Sequence, residues 1–248
     1  MRPGSTMEIP MPASDPCRYP ASLLGAALLF LGLAAASPAR AATYEVDRAA
    51  SLFAVVTHKA GFASGLAHNH LVVADEIAVT AFEFDPGAPI AARFEVTIAA
   101  TGLEVDRRAD QDRWQERVLA LDILQQPFTH PGDSDRQKIR RDMLSAGQLD
   151  AARHPKIVAR VAGLTPPAAG APEKLPWKLH LELALHGKTI VRDVPASIDV
   201  AADGTLTGEA AGEYTYTEFG ISPFSAFLGA VKNEDRFHVL VHLVAKPK

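Results

Sequence analysis

Lys178-Leu179-His180-Leu181-Glu182-Leu183-Ala184-Leu185-His186 places leucine at every second position, with charged, polar or small residues between. Successive side chains of a β-strand point to opposite faces, so the four leucines share one apolar face and the stretch reads as a half-buried strand. The same period recurs along the chain. Phe94, Val96 and Ile98 alternate with Arg93, Glu95 and Thr97; Val194, Ala196, Ile198 and Val200 alternate with Pro195, Ser197 and Asp199. Phe237, Val239, Val241 and Leu243 alternate with His238, Leu240, His242 and Val244. Weaker strand signals cover 51–58, 66–74, 76–84, 156–164 and 205–217, and Asp85-Pro86-Gly87, His186-Gly187-Lys188 and Ala202-Asp203-Gly204 supply turns. Roughly eight or nine strands without interleaved helices predict an all-β antiparallel barrel or sandwich, not a parallel α/β sheet.

One region, about 106–153, leaves this period. Ser134-Asp135-Arg136-Gln137 has capping-box spacing and predicts a helix over roughly 135–145 with Ile139, Met143 and Leu144 on one face. Residues 107–120 predict a second short helix, and Pro127, Pro131 and Gly132 separate the two. The Pro/Ala/Gly stretch at Thr165–Pro176 reads as a long hairpin loop, so the count is one domain with a helical insertion.

The N-terminus stands apart. Residues 21–36 form an unbroken apolar run after Arg18, followed by Ala39-Arg40-Ala41, which is the layout of a secretory signal peptide cut near Ala41/Ala42. A retained anchor is the alternative, but the apolar run is shorter than the ~20 residues a spanning helix needs. Cleavage leaves a domain over 42–248, and with it goes Cys17, the one cysteine of the 248-residue chain. The exported domain is then cysteine-free in an oxidising compartment, the periplasm, and depends on an ordinary apolar core. The formal charge of −4 argues against nucleic acid, which demands a basic surface, and a single thiol excludes disulfide scaffolds and cysteine zinc sites.

Catalytic motifs are missing: the sequence has no G-x-S-x-G elbow, Gly-rich phosphate loop, H-E-x-x-H or calcium-loop spacing, and the chain reads as a non-enzyme. His68-Asn69-His70 is the sharpest local feature. On a strand, positions i and i+2 share a face, so His68 and His70 can hold a metal ion if a third ligand comes from His58, His186, His238 or His242. Such pairs are more commonly solvated or hydrogen-bonded, and no metal cofactor is expected. His238 and His242 fit a wet outer strand face, and Asp106, Asp110 and Asp112, interleaved with Arg107, Arg108 and Arg113, fit a solvated charged helix.

Several soft motifs occur in a fixed order. They are Tyr44-Glu45-Val46-Asp47 with Ser51-Leu52-Phe53, Gly65-Leu66-Ala67-His68-Asn69-His70, Arg141-Asp142-Met143-Leu144, Leu149 through Ile157, Leu183 through Thr189, Glu218-Phe219-Gly220-Ile221, and Val231 through Lys246. In that order they resemble the YceI-like family over nearly the whole exported chain, with an extended charged stretch at 107–135 and Val158-Ala159-Arg160 where the family has a phenylalanine. The resemblance implies a single lipocalin-like barrel of about eight strands that holds a long isoprenoid or quinone-like amphiphile, without nucleic acid as a partner. Small residues on the strands, Ala54, Ala78, Ala159, Gly208, Ala210 and Gly212, leave room for such a ligand. Candidate lining residues are Phe53, Val55, Phe82, Phe84, Phe94, Val96, Ile98, Tyr214, Tyr216 and Phe219, with Phe224 and Phe227 in the apolar loop 222–228 at the mouth. Transient membrane contact and a homodimer are both compatible with that reading.

Overall fold

The structure, a computed structural model, describes residues 42–61 and 67–248. The expected signal peptide over 1–41 lies outside the described residues, as do Gly65 and Leu66 ahead of the His-Asn-His segment. Among the described residues, twelve strands make one antiparallel sheet: β1 (Ala42–Val46), β2 (Leu52–Ala60), β3 (Leu71–Ala74), β4 (Ile77–Phe84), β5 (Arg93–Ala99) and β6 (Leu103–Val105). After two helices follow β7 (Lys156–Thr165), β8 (Trp177–Leu185), β9 (Lys188–Val200), β10 (Leu206–Tyr214), β11 (Ser225–Ala226) and β12 (Val231–Pro247).

The twelve segments make eight staves. β1 runs on into β2, β3 into β4 and β5 into β6, each pair interrupted by a short break, and β11 is a two-residue addition against β12. At the first break the Asp47 carbonyl and carboxylate both accept from the Ala50 N–H, turning the chain. At the other two breaks Gly102 passes so close to Glu76 that a Cβ would stand 2.7 Å from the Glu76 Cβ, and only glycine fits. β1 pairs with β4 on one side (Ala42↔Phe84) and β12 on the other (Tyr44↔Pro247, Val46↔Ala245), which closes the sheet on itself. Chain neighbours are therefore spatial neighbours all the way round, the connectivity of an up-and-down barrel. Where roughly eight or nine strands are expected from periodicity, the difference lies in these breaks.

Two layers of packing surround the wall. Inside, at the end sealed by β1, Tyr44 packs edge-on to Phe84 at 5.7 Å and against Phe82 at the same distance, with Leu206, Leu243 and Ala245 in the same cluster. Outside, α1 (Arg108–Ala120) lays Trp114 and Val118 on Leu52, Ala54, Val56, Leu71, Val73 and Leu240. This outer helix buries β2 on both faces, which is why 51–58 lacks a clean alternation.

α2 (Asp133–Leu144) covers the opposite end. Ile139 and Met143 pack on Val72, Leu103 and Val105, while Leu144 is not part of that contact. The sheet order ends at β6, whose free carbonyls are taken up by α2: Arg140 Nε donates to Leu103 O at 2.8 Å and Arg136 Nε to Val105 O at 3.1 Å. Exposed sheet edges need such cover. The capping box does not form; Gly132 is the N-cap without a side-chain bond, and Ser134 lies inside the helix. Starting two residues earlier places Asp133 and Asp135 in the first turn, where carboxylates favour the helix dipole.

Candidate functional site

The barrel encloses a cavity of about 200 Å³, more than ten times the ~10–15 Å³ one water takes on the same measure. Its wall is built from inward positions two apart: Phe53, Val55 and Thr57 of β2, His70, Val72 and Ala74 at β3, Val96 and Ile98 of β5, Phe237, Val239 and Val241 of β12. Ala159, Leu183 and Leu185 complete it on the far side, and Ile139, Met143, Leu149, Ile221 and Phe224 ring the open end. The few polar lining groups, Thr57, His70, Asp142, Gln148, Tyr216 and Asn233, belong to that open end, where β2 and β12 are paired at Lys59↔Asn233. Apolar depth with a polar rim suits a ligand with a hydrocarbon tail and one polar end.

Six of the candidate residues, Phe53, Val55, Val96, Ile98, Tyr216 and Phe224, come together around this space. Phe82 and Phe84 are placed elsewhere, in the sealed end with Tyr44, and the Phe94 ring packs tilted against Phe82 at 4.6 Å. Tyr214 and Phe219 form an aromatic cluster with Phe237, each ring 6.0 Å from the next. The Phe227 side chain lies outside the described residues. Sequence reasoning missed Leu183, Leu185 and Val239, whose alternation is plain in the sequence but whose inward direction is not, while Ala159, one of the small residues expected to leave room, does line the cavity. Burial pushes the phenols of Tyr214 and Tyr216 up to about 12.

The histidine pair does not converge. His68 Nδ1 meets Thr129 Oγ1 at 2.5 Å and His70 Nδ1 meets Asp106 Oδ2 at 2.6 Å, and among the described residues no group of three metal-ligating side chains forms. Asp106 is thus not part of a solvated charged helix. Its side chain is fully buried just ahead of α1, with φ of 50°, and its Oδ1 accepts from Leu71 N–H and Gln111 Nε2–H, both at 2.9 Å. Gln111, also fully buried, meets His130 Nδ1 through its Oε1 at 2.7 Å. Arg107 and Asp110 are half-buried and paired, with Arg107 bridging Asp75 and Asp110.

The outer face of β12 is not wet either. His58 Nε2 lies 2.8 Å from His238 Nδ1, and His242 packs 5.6 Å from the Trp114 ring beneath α1. Burial, then the Arg236 guanidinium and His238, pull His58 from 6.5 down to about 4, with Glu234 and Glu213 opposing. Burial also lowers His238 and His242. The folded protein therefore keeps these imidazoles neutral where the unfolded chain binds protons. Stability is full above about pH 6.5 and falls as pH drops toward 4, by on the order of 3 kcal/mol from His58 alone. Urea midpoints at pH 7.5 and 4.5 check this. His58→Gln, which keeps a donor but cannot titrate, is expected to flatten the difference; an unchanged slope rejects the assignment.

A closed up-and-down barrel with an apolar interior and a polar rim defines a lipocalin-like fold. The YceI-like domain profile matches residues 44–245, and the chain belongs to that family. No curated protein matches it. Among solved structures it is similar to BcnA of Burkholderia cenocepacia, at 16% identity and a TM-score of 0.55 over 82% of this chain and 100% of that one. It is also similar to a polyisoprenoid binding domain from Saccharophagus degradans implicated in plant cell wall breakdown, at 9% identity and a TM-score of 0.50 over 84% and 99% of the two chains. A Campylobacter jejuni YCEI protein matches at 11% identity and 0.47 over 71% and 84%. The first two matches establish a shared fold.

Proposed function

We propose that this protein is a periplasmic binding or carrier protein for a long isoprenoid or quinone-like amphiphile, exported by a signal peptide over residues 1–41 and without catalytic activity. The single observation that carries the reading is the internal apolar cavity of about 200 Å³ with its polar groups gathered at one end. Each methylene moved from water into such a space contributes about 0.8 kcal/mol, so ten carbons supply roughly 8 kcal/mol before ordering costs. Membership of the YceI-like family, and the polyisoprenoid binding named for the Saccharophagus domain, support the ligand class. Leu228, fully exposed in the loop that carries Phe224, is the group that would touch a bilayer during exchange.

Native mass spectrometry of the protein purified from its own periplasm tests this directly. A protein peak carrying a lipid-sized increment, released by organic solvent, is expected. A wholly ligand-free protein that takes up no added prenyl lipid would sink the reading.

A further inference from the structure

We propose that the open end of the barrel is a docking face for an anionic phospholipid bilayer: the Leu228 tip enters the lipid, and free cations around the mouth meet the phosphates. The inference rests on the carrier reading above and names the surface with which the carrier exchanges.

β11 pairs with the start of β12 (Ser225↔Lys232, Ala226↔Val231), and the turn between them carries Leu228 fully exposed, at a φ of 56°. This turn is backed by the wall. Gly61, just after β2 with φ of 98°, runs so close to the Ala230 carbonyl that any side chain there would overlap it. Ile221 and Phe224, shortly before the tip, line the cavity. A single exposed leucine on a wall strand is ordinary. One held on a backed hairpin at the entrance to an apolar cavity joins the outer surface to the interior. A hydrocarbon tail leaving a bilayer at that point crosses little water on its way in, which lowers the cost of transfer.

Charge selects the kind of surface. β2, β8 and β10 end at the open end of the barrel, and β7, β9 and β12 begin there. Lys59 stands on β2, Lys232 on β12, Lys156 on β7 and Lys188 on β9, with Lys138 and Arg141 on α2. Among the described residues none of these six has a carboxylate within salt-bridge distance. Most carboxylates at the same end are already matched: Glu218 by Arg192, Glu213 and Glu234 by Arg236, and Asp150 by Arg153. On α2 and β6, Asp133 is matched by Arg136 and Glu104 by Arg140. Asp135, Asp142 and Asp235 are left against the six cations, so the surplus at the mouth is positive in a chain whose formal charge is −4. At the sealed end Lys246 and Lys248 are matched by Asp47 and Glu45. An anionic bilayer repels such a molecule in other orientations and attracts it mouth-first. That attraction decays over about 10 Å at 0.1 M salt, so cations near the mouth dominate it.

The experiment is co-sedimentation of the exported protein with vesicles of phosphatidylcholine alone and of phosphatidylcholine mixed equally with phosphatidylglycerol. At about 0.1 M salt, partitioning onto the anionic vesicles is expected to be at least about tenfold stronger, and at about 1 M salt the two should converge. The paired reversal Lys59→Glu/Lys232→Glu is expected to abolish the preference. Lys246→Glu/Lys248→Glu changes the net charge equally but at the sealed end, and should leave partitioning within about twofold. Leu228→Ser is expected to weaken binding to both vesicles about tenfold. Equal partitioning onto the two vesicles, or equal losses from the two lysine pairs, overturns the docking face. Self-association that Leu228→Ser abolishes, without vesicle binding, assigns the tip to a second copy of the chain and also overturns it. Uptake of geranylgeraniol by the same samples without vesicles separates the two readings: its presence beside failed docking leaves the carrier standing, and its absence overturns both. The comparison of vesicles and salt needs no variant to fold.

Discussion

Asp106→Ala is expected to lower the unfolding free energy by about 3–5 kcal/mol, the largest loss from any single truncation in this protein. Two effects add. The substitution strips the partner from Leu71 N–H, Gln111 Nε2–H and His70 Nδ1, three donors fixed around a fully buried carboxylate, and each buried donor left unpaired costs about 1–3 kcal/mol. It also places alanine at φ of 50°, a left-handed conformation that aspartate and asparagine tolerate and alanine resists. Urea unfolding of Asp106→Ala beside Asp106→Asn separates the two. Asparagine keeps the backbone conformation and two of the three bonds, so its loss should be about 1–2 kcal/mol. Equal, small losses in both variants would show that the buried network contributes little.

That network also marks the limit of sequence reading. Around Asp106 the local text, Asp-Arg-Arg-Ala-Asp-Gln-Asp-Arg, is that of a wet helix face. Its burial comes from Leu71 and His70, about 35 positions earlier, and no local pattern announces a contact of that range. The alternating strands were legible for the opposite reason. β8 and β9 have one face on the interior and one toward water, so burial leaves a period of two in the residue types. Where α1 covers the outside, both faces turn apolar and the period fades: Leu52, Ala54 and Val56 face the helix while Phe53 and Val55 face the cavity. Large aromatics fill space, and Phe82, Phe84, Tyr214 and Phe219 pack the sealed end and the aromatic cluster. Open volume lies where side chains are small or branched, beside Ala159, Val239 and Ala74.

Ala159 turns that observation into a test. It sits in the middle of the wall, paired with Val96 on β5 and Leu183 on β8, and all three line the cavity. Ala159→Phe is expected to weaken binding of geranylgeraniol by about 100-fold or more, because a ring at that point excludes at least four tail carbons at ~0.8 kcal/mol each. In a filled core such an insertion costs about 1–3 kcal/mol through strain. Here the ring enters open space and buries apolar surface, so the unfolding free energy should stay within about 1 kcal/mol of the wild type or rise. The combination of lost binding and retained stability is diagnostic, since a filled barrel would give the reverse: binding unaffected, because nothing binds inside, and a clear loss of stability. Val239→Phe, on β12 across the same cavity, provides an independent position should the backbone at Ala159 yield. Retention of full affinity by both variants would place the lipid outside the barrel, and the interior would then be core rather than site.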